Sequence, residues 1–213
     1  GTVLDGKAHS KRVIGGLRPA VAELARQGVT PSLHVILVGE DTASQVYVRN
    51  KARRAEKLGL RSEVARLPEG TGAEELLERI ALLNEDEETD GILVQLPIPG
   101  VQSRPIIDAV AADKDVDGFH PTNAGLLSQR RPRFVPCTPL GVVSLLDFHE
   151  VELSGKQSLV VGRSDIVGRP MASMLTHRNA TVTVAHSRTR HLDELVAQAE
   201  VLVVAMGHMH AID

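Results

Sequence analysis

Apolar residues recur along the chain with two alternating rhythms. Leu17, Val21, Leu24 and Ala25 fall three and four apart, which predicts a helix over residues 17–27. Gly28 follows as a C-terminal cap and Pro31 as a stop. Residues 33–38 form a short apolar run ended by Gly39, the mark of a buried strand. A helix over 43–58 closes at Gly59, a second strand covers 61–67, and a helix covers 73–83 before an acidic stretch to Asp90. Residues 91–96 are a nearly continuous apolar strand stopped by Pro97 and Pro99. Residues 100–133 are loop-rich, with a short helix near 105–111, and 140–148 is a helix suited to bridging two domains. The alternation then restarts as strand 158–161, helix 170–177, strand 181–185, helix 192–199 and strand 201–205.

This order implies an α/β fold of two domains, each with a parallel sheet covered by helices. The second half is a βαβαβ unit, half of a Rossmann arrangement. The border falls near residue 136, giving domains 1–136 and 137–213. No internal repeat or low-complexity segment is present.

Composition narrows the function more than the fold. With 42% hydrophobic and 24% charged residues the chain is globular, and its net charge of −3 leaves no basic surplus for nucleic acid. Aromatics make up 2%, too few for base-stacking platforms. The basic run 49–57 reads as a solvated helix face. A single cysteine, Cys137, excludes an internal disulfide and fits a reducing cytoplasm. No run has the length of a membrane span, and residues 1–12 do not resemble a signal peptide. His208 and His210 alternate near the end, but no metal site is expected from them.

The strongest chemical signal is the loop after residue 161: Gly162-Arg163-Ser164-Asp165-Ile166-Val167-Gly168-Arg169-Pro170. Gly162 permits a tight turn and close backbone approach, and Gly168 permits close packing of helix on strand. Pro170 suits the start of a helix, where its missing N–H leaves no bond unmade. The helix N-terminus would then offer N–H groups to a pyrophosphate. Gly-x-Ser-x-x-x-Gly also suits an ordinary glycine-rich turn, so the next strand end matters. Dinucleotide folds that bind NAD place a carboxylate there, about 20 residues on. This chain has His186-Ser187-Arg188-Thr189-Arg190 instead. Arginines and hydroxyls can bind a 2′-phosphate that a carboxylate would repel. NADP is therefore expected over NAD.

Three features suggest a second site. Ser44, Tyr47 and Lys51 are three and four apart and share a helix face whose start lies near the carboxyl ends of the strands. Spacing alone also suits a surface lysine and a half-buried tyrosine. Gln95 interrupts an apolar strand, so its amide needs partners, structural or functional. Lys114-Asp115-Val116-Asp117-Gly118 brings two carboxylates into one loop, which equally suits a surface turn or a weak cation site.

Taken in order, these tracts resemble the bifunctional methylenetetrahydrofolate dehydrogenase/cyclohydrolase family. The resemblance runs through the tract from Val38 to Gly59 with Ser44, Tyr47 and Lys51. It continues through Asp90-Gly91-Ile92-Leu93-Val94-Gln95-Leu96-Pro97, Lys114-Asp115-Val116-Asp117-Gly118-Phe119-His120-Pro121 and Pro136-Cys137-Thr138-Pro139. It then takes in the Gly162 loop, Ala180-Thr181-Val182-Thr183 and His186-Ser187. It implies NADP-dependent oxidation of 5,10-methylenetetrahydrofolate and hydrolysis of the methenyl product to 10-formyltetrahydrofolate, within one-carbon metabolism and purine biosynthesis. By resemblance, Lys51 is the catalytic lysine, Gln95 orients it, Tyr47 packs on the aminobenzoate ring, and Ser44 and Asp117 bind folate, Asp117 at the pterin N–H edge. Arg163 and Ser187 match cofactor-phosphate residues. Gly162, Ser164, Ile166, Gly168 and His186 complete the expected cofactor site, and Arg188 joins it on charge alone. A cytoplasmic homodimer is also implied.

Family members continue well past the position of Asp213, so the cofactor domain is expected to be incomplete as given. Two other readings stand at this point: a non-catalytic NADP- or folate-binding fragment, and a two-domain NADP dehydrogenase of the shikimate dehydrogenase type.

Overall fold

The computed structural model describes residues 1–207. The chain divides into two compact units, Lys7–Pro121 and, jointly, Gly1–Gly6 with the chain from Thr122 onward.

The first unit contains α1 (Gly6–Arg26), β1 (Ser32–Val38), α2 (Thr42–Leu58), β2 (Arg61–Leu67), α3 (Ala73–Glu85), β3 (Gly91–Val94) and α4 (Ser103–Asp108). Its three strands pair in parallel in the order β2-β1-β3, with Val35 opposite both Val64 and Leu93. Because side chains alternate along β1, it builds core on both faces. Ile36 and Val38 join Leu76, Ile80, Ile92, Val94 and Ile106 on one side. Val35 and Leu37 join Val48 and Leu93 on the other. Each such side chain contributes ~1.5–3 kcal/mol on full burial, so the central strand is the most costly place to truncate.

Two boundaries set the geometry of the site. Helix α2 starts at Asp41, whose carboxylate accepts the Ser44 N–H at 2.7 Å, and stops at Gly59 with φ 92°. The Leu60 N–H reaches back to the Ala55 carbonyl at 3.0 Å, the closure that a left-handed C′ residue makes possible. Strand β3 is shorter than the apolar run predicts. The Gln95 N–H makes its bond to the Ile36 carbonyl at 2.9 Å, and the Leu96–Pro97 peptide bond that follows is cis.

Helix α1 begins eleven residues before the apolar pattern does, since its first turns are polar and display no buried face.

In the second unit, α5 (Pro121–Ser128) and α6 (Cys137–Phe148) precede β4 (Gln157–Val161), α7 (Gly168–His177), β5 (Thr181–Ala185), α8 (Leu192–Gln198) and β6 (Val201–Val204). The α5 segment was expected to be loop. It holds Asn123 and Gly125, and its apolar residues form no stripe, so only burial of Asn123 and Leu127 marks it as ordered structure. The strands again run parallel, in the order β5-β4-β6. Val160 packs with Val143, Leu153, Met171 and Leu175 on one face of β4. Leu159, Val161 and Ala185 meet Leu192 and Leu195 on the other. The two sheets therefore share one βαβαβ plan with the first strand in the middle. Among the described residues no helix is long and apolar enough to cross a membrane.

Candidate active site

In the first unit, α2 leaves the carboxyl end of β1, so its first two turns lie where open α/β sheets bind ligands. Ser44 is buried, and both its N–H and its hydroxyl engage the Asp41 carboxylate, which this holds below the usual range. Ser44 thus serves the helix start. Tyr47 is 63% exposed and presents its ring outward. Lys51, one turn further, is half-buried and its Nζ donates to Gln95 Oε1 at 3.2 Å. Gln95 in turn donates from Nε2 to the Leu96 carbonyl at 2.8 Å. The polar break in the apolar strand is therefore an amide fixed on one side and holding a lysine on the other. That meets the partner requirement of a buried amide and aims one cation.

The loop after α4 brings a carboxylate to the same place. The Lys114 carbonyl accepts the Ile92 N–H at 2.8 Å, and Asp115 bridges Ile92 in parallel, so this loop continues the sheet beside β3. A Cβ on Gly91 would meet the Val116 side chain at 2.6 Å, which explains the glycine: the loop lies directly on the strand. The chain turns directly after that bridge, with the Gly118 N–H on the Asp115 carbonyl at 3.2 Å, and Asp117 lies in this turn. Burial pushes the Asp117 carboxyl above its usual range, the Lys51 charge pulls it down, and the Asp115 charge pushes it up again. Lys51, Gln95 and Asp117 are thus one electrostatic group, although 44 and 22 residues separate them along the chain.

In the second unit the loop after β4 is held by its glycines. A Cβ on Gly162, at φ 127°, would run into the Ala205 carbonyl, and one on Gly168 into the Gly162 carbonyl. Both must be glycine for β4, β6 and α7 to approach this closely. The helix N-terminus differs from the expectation. The N–H groups of Val167 and Gly168 point to Ser164 Oγ at 3.2 and 3.3 Å, and the Arg169 N–H to the Ser164 carbonyl at 3.0 Å. Pro170 has no N–H. The first donors of α7 are therefore satisfied locally, because a serine four residues before Gly168 can fold back on them. Among the described residues it is instead the loop N–H groups of Arg163, Ser164 and Ile166 that make no hydrogen bond.

After β5 the chain turns tightly, with the Thr189 N–H on the His186 carbonyl at 2.8 Å and the His186 N–H on Thr189 Oγ1 at 2.8 Å. His186 Nδ1 accepts the Arg188 N–H at 3.2 Å, which braces the turn. Ser187, Arg188 and Arg190 are exposed, as is Arg163 in the first loop. None of these three arginines has an ion pair among the described residues. Of the two carboxylates in the Lys114-Asp115-Val116-Asp117-Gly118 motif only Asp117 had an expected role; the buried Asp115 carboxylate organises the turn that bears it. His208 and His210 lie outside the described residues.

Two family profiles match the chain. The catalytic domain of tetrahydrofolate dehydrogenase/cyclohydrolase covers residues 4–117, and the NAD(P)-binding domain of the same enzymes covers residues 136–213. The chain belongs to this family. The bifunctional protein FolD of Lacticaseibacillus casei is 50% identical over 212 residues, which make up 99% of this chain and 75% of that protein. FolD of Enterococcus faecalis is 46% identical, over 98% of this chain and 75% of its own length. The crystal structure of the bifunctional FolD of Campylobacter jejuni superposes with a TM-score of 0.94 at 45% identity, covering 97% of this chain and 74% of its own. The Trypanosoma brucei methylenetetrahydrofolate dehydrogenase-cyclohydrolase, solved with NADP and an inhibitor, gives 0.92 at 37% identity, over 97% and 72% of the two chains. With both profiles matched in order, neither the shikimate dehydrogenase reading nor that of a non-catalytic fragment is favoured.

Proposed function

We propose that the chain oxidises 5,10-methylenetetrahydrofolate to 5,10-methenyltetrahydrofolate with NADP and hydrolyses the product to 10-formyltetrahydrofolate. Folate is assigned to the unit bearing Lys51, and the dinucleotide to the Gly162–Gly168 loop. The observation that carries the reading is the Lys51–Gln95 hydrogen bond beside a half-buried Asp117. In functional terms, residues 1–136 form the folate-binding catalytic domain and 137–213 the NADP-binding domain.

The Asp117 carboxylate accepts the N–H edge of the pterin, a use for which a half-buried anion beside a lysine is suited. The exposed Tyr47 ring packs on the aminobenzoate ring, and Ser44 acts through the helix start that sets Tyr47 in place. Gln95, anchored on the Leu96 carbonyl, fixes the position of Lys51 Nζ. Lys51 then manages the proton of the water that adds to the methenyl carbon, as a positioned general acid–base.

The residues of the second unit fit a dinucleotide carrying a 2′-phosphate. Gly162 and Gly168 shape the loop, whose Arg163, Ser164 and Ile166 N–H groups make no hydrogen bond among the described residues. Arg163, Ser187 and Arg188 are exposed, the two arginines have no ion pair among the described residues, His186 braces the turn after β5, and residues 186–190 hold no carboxylate to repel the phosphate. When bound, NADP supplies the acceptor for the hydride leaving the methylene carbon. The same reading carries a cytoplasmic homodimer acting on a small-molecule folate for one-carbon metabolism and purine biosynthesis, with no nucleic-acid or membrane partner.

A spectrophotometric assay with methylenetetrahydrofolate and each of NADP and NAD, followed by methenyltetrahydrofolate hydrolysis, tests the reading. Turnover with NADP above NAD, together with hydrolysis, is expected. Dehydrogenase activity without hydrolysis would make the enzyme monofunctional, and equal use of NAD would remove the NADP assignment.

A further inference from the structure

Asp115 is 4% exposed, a buried carboxylate that the reaction itself does not use. Its backbone is pinned to β3 through the bridge to Ile92. Its side chain turns inward, where Oδ2 accepts the His120 N–H at 2.8 Å. Its carbonyl accepts the Gly118 N–H at 3.2 Å, in a turn that Gly118 completes with φ 68°. One residue therefore closes two nested turns, from 115 to 118 and from 115 to 120, and Asp117 sits inside both. The charge of Asp115 also acts on its loop neighbour Asp117. Asp117 feels the charges of Lys51 on α2 and of Asp115 in its own loop, while Lys114 donates to the Leu83 and Asp86 carbonyls.

We propose that Asp115 is a positioning residue of the folate site: it fixes the turn that carries the Asp117 carboxylate, and its charge acts on that carboxylate. The inference rests on the assignment of Asp117 to folate.

The test compares Asp115→Ala, Asp115→Asn and Asp117→Ala in the whole enzyme. Asp115→Ala should raise the KM for methylenetetrahydrofolate about tenfold, the scale of one lost charge-assisted hydrogen bond. It should leave kcat and NADP affinity near wild type. Asp115→Asn keeps an acceptor for His120 and should recover most of the KM. With its charge gone, Asp117 ionises more easily, so the acid limb of kcat/KM should move to lower pH. A purely structural role would not move that limb. A folded Asp115→Ala with wild-type KM, or an Asp115→Asn profile that coincides with wild type, would overturn the proposal. Should Asp115→Ala fail to fold, the Asn profile alone decides. An unchanged folate affinity in Asp117→Ala would instead remove the folate assignment itself.

Discussion

The two units share a sheet plan, yet they build their sites in opposite ways. The folate unit uses side chains: Lys51, Gln95 and Asp117 come from three elements, are at least partly buried, and act on one another. The cofactor unit uses backbone shape plus exposed charge: two glycines that admit no Cβ, loop N–H groups, and exposed arginines. The difference teaches where each site is fragile. A buried, coupled group loses chemistry when one member changes. A backbone cradle loses its shape only where a glycine is replaced, and its surface cations act nearly one at a time.

Four experiments would break or sharpen that contrast. Lys51→Met should lower methenyltetrahydrofolate hydrolysis by about 10²–10⁴-fold, the scale of general acid–base catalysis, with NADP affinity intact. Normal hydrolysis in this variant would show that the coupled group is not the chemical one. In the other unit, Gly168→Ala places a Cβ on the Gly162 carbonyl. It should lower stability by roughly 2–4 kcal/mol in thermal unfolding and weaken NADP binding, since the clash is with backbone that must move. A stable variant with wild-type affinity would mean the loop is more forgiving than its geometry says.

The third experiment concerns Asp117 and pH. Its folded pKa is raised, so the neutral form is favoured on folding, and stability from this group is present at low pH and lost as pH rises through the folded pKa. Asp117→Asn should therefore raise the melting temperature near pH 7 and leave it unchanged at pH 3. Folate affinity should fall at the same time. A lowered melting temperature at pH 7 would show that pairing with Lys51 outweighs burial. Last, Arg188→Ala should weaken NADP binding by about fivefold, as one exposed charge-assisted contact would, and leave folate KM alone. A loss shared equally by NAD would move Arg188 away from the 2′-phosphate.

Much of the fold is legible in the chain. Glycine and proline punctuation marked most strand and helix ends, and Arg61–Leu67 and Thr181–Ala185 coincide with the segments expected. Gln95 stood out because a polar residue in a buried strand must have partners. Other features resisted. The start of α1 and the whole of α5 lack an apolar stripe, so periodicity carries no signal there. The end of β3 was misjudged because Leu96 continues the apolar run while the backbone turns away after Gln95.

The sequence by itself determined the α/β order, the family, the glycines that the loop between β4 and α7 requires, and the charge types after β5. These follow from local rules: side-chain period, the conformations only glycine adopts, and charge at a strand end. The tertiary structure decided what those residues are to one another. It set Lys51 on Gln95, brought Asp117 beside them through a loop running along β3, and turned Ser164 onto the first N–H groups of α7. Such facts depend on which distant segments pack side by side, and pairing across tens of residues leaves no period in the chain that specifies it.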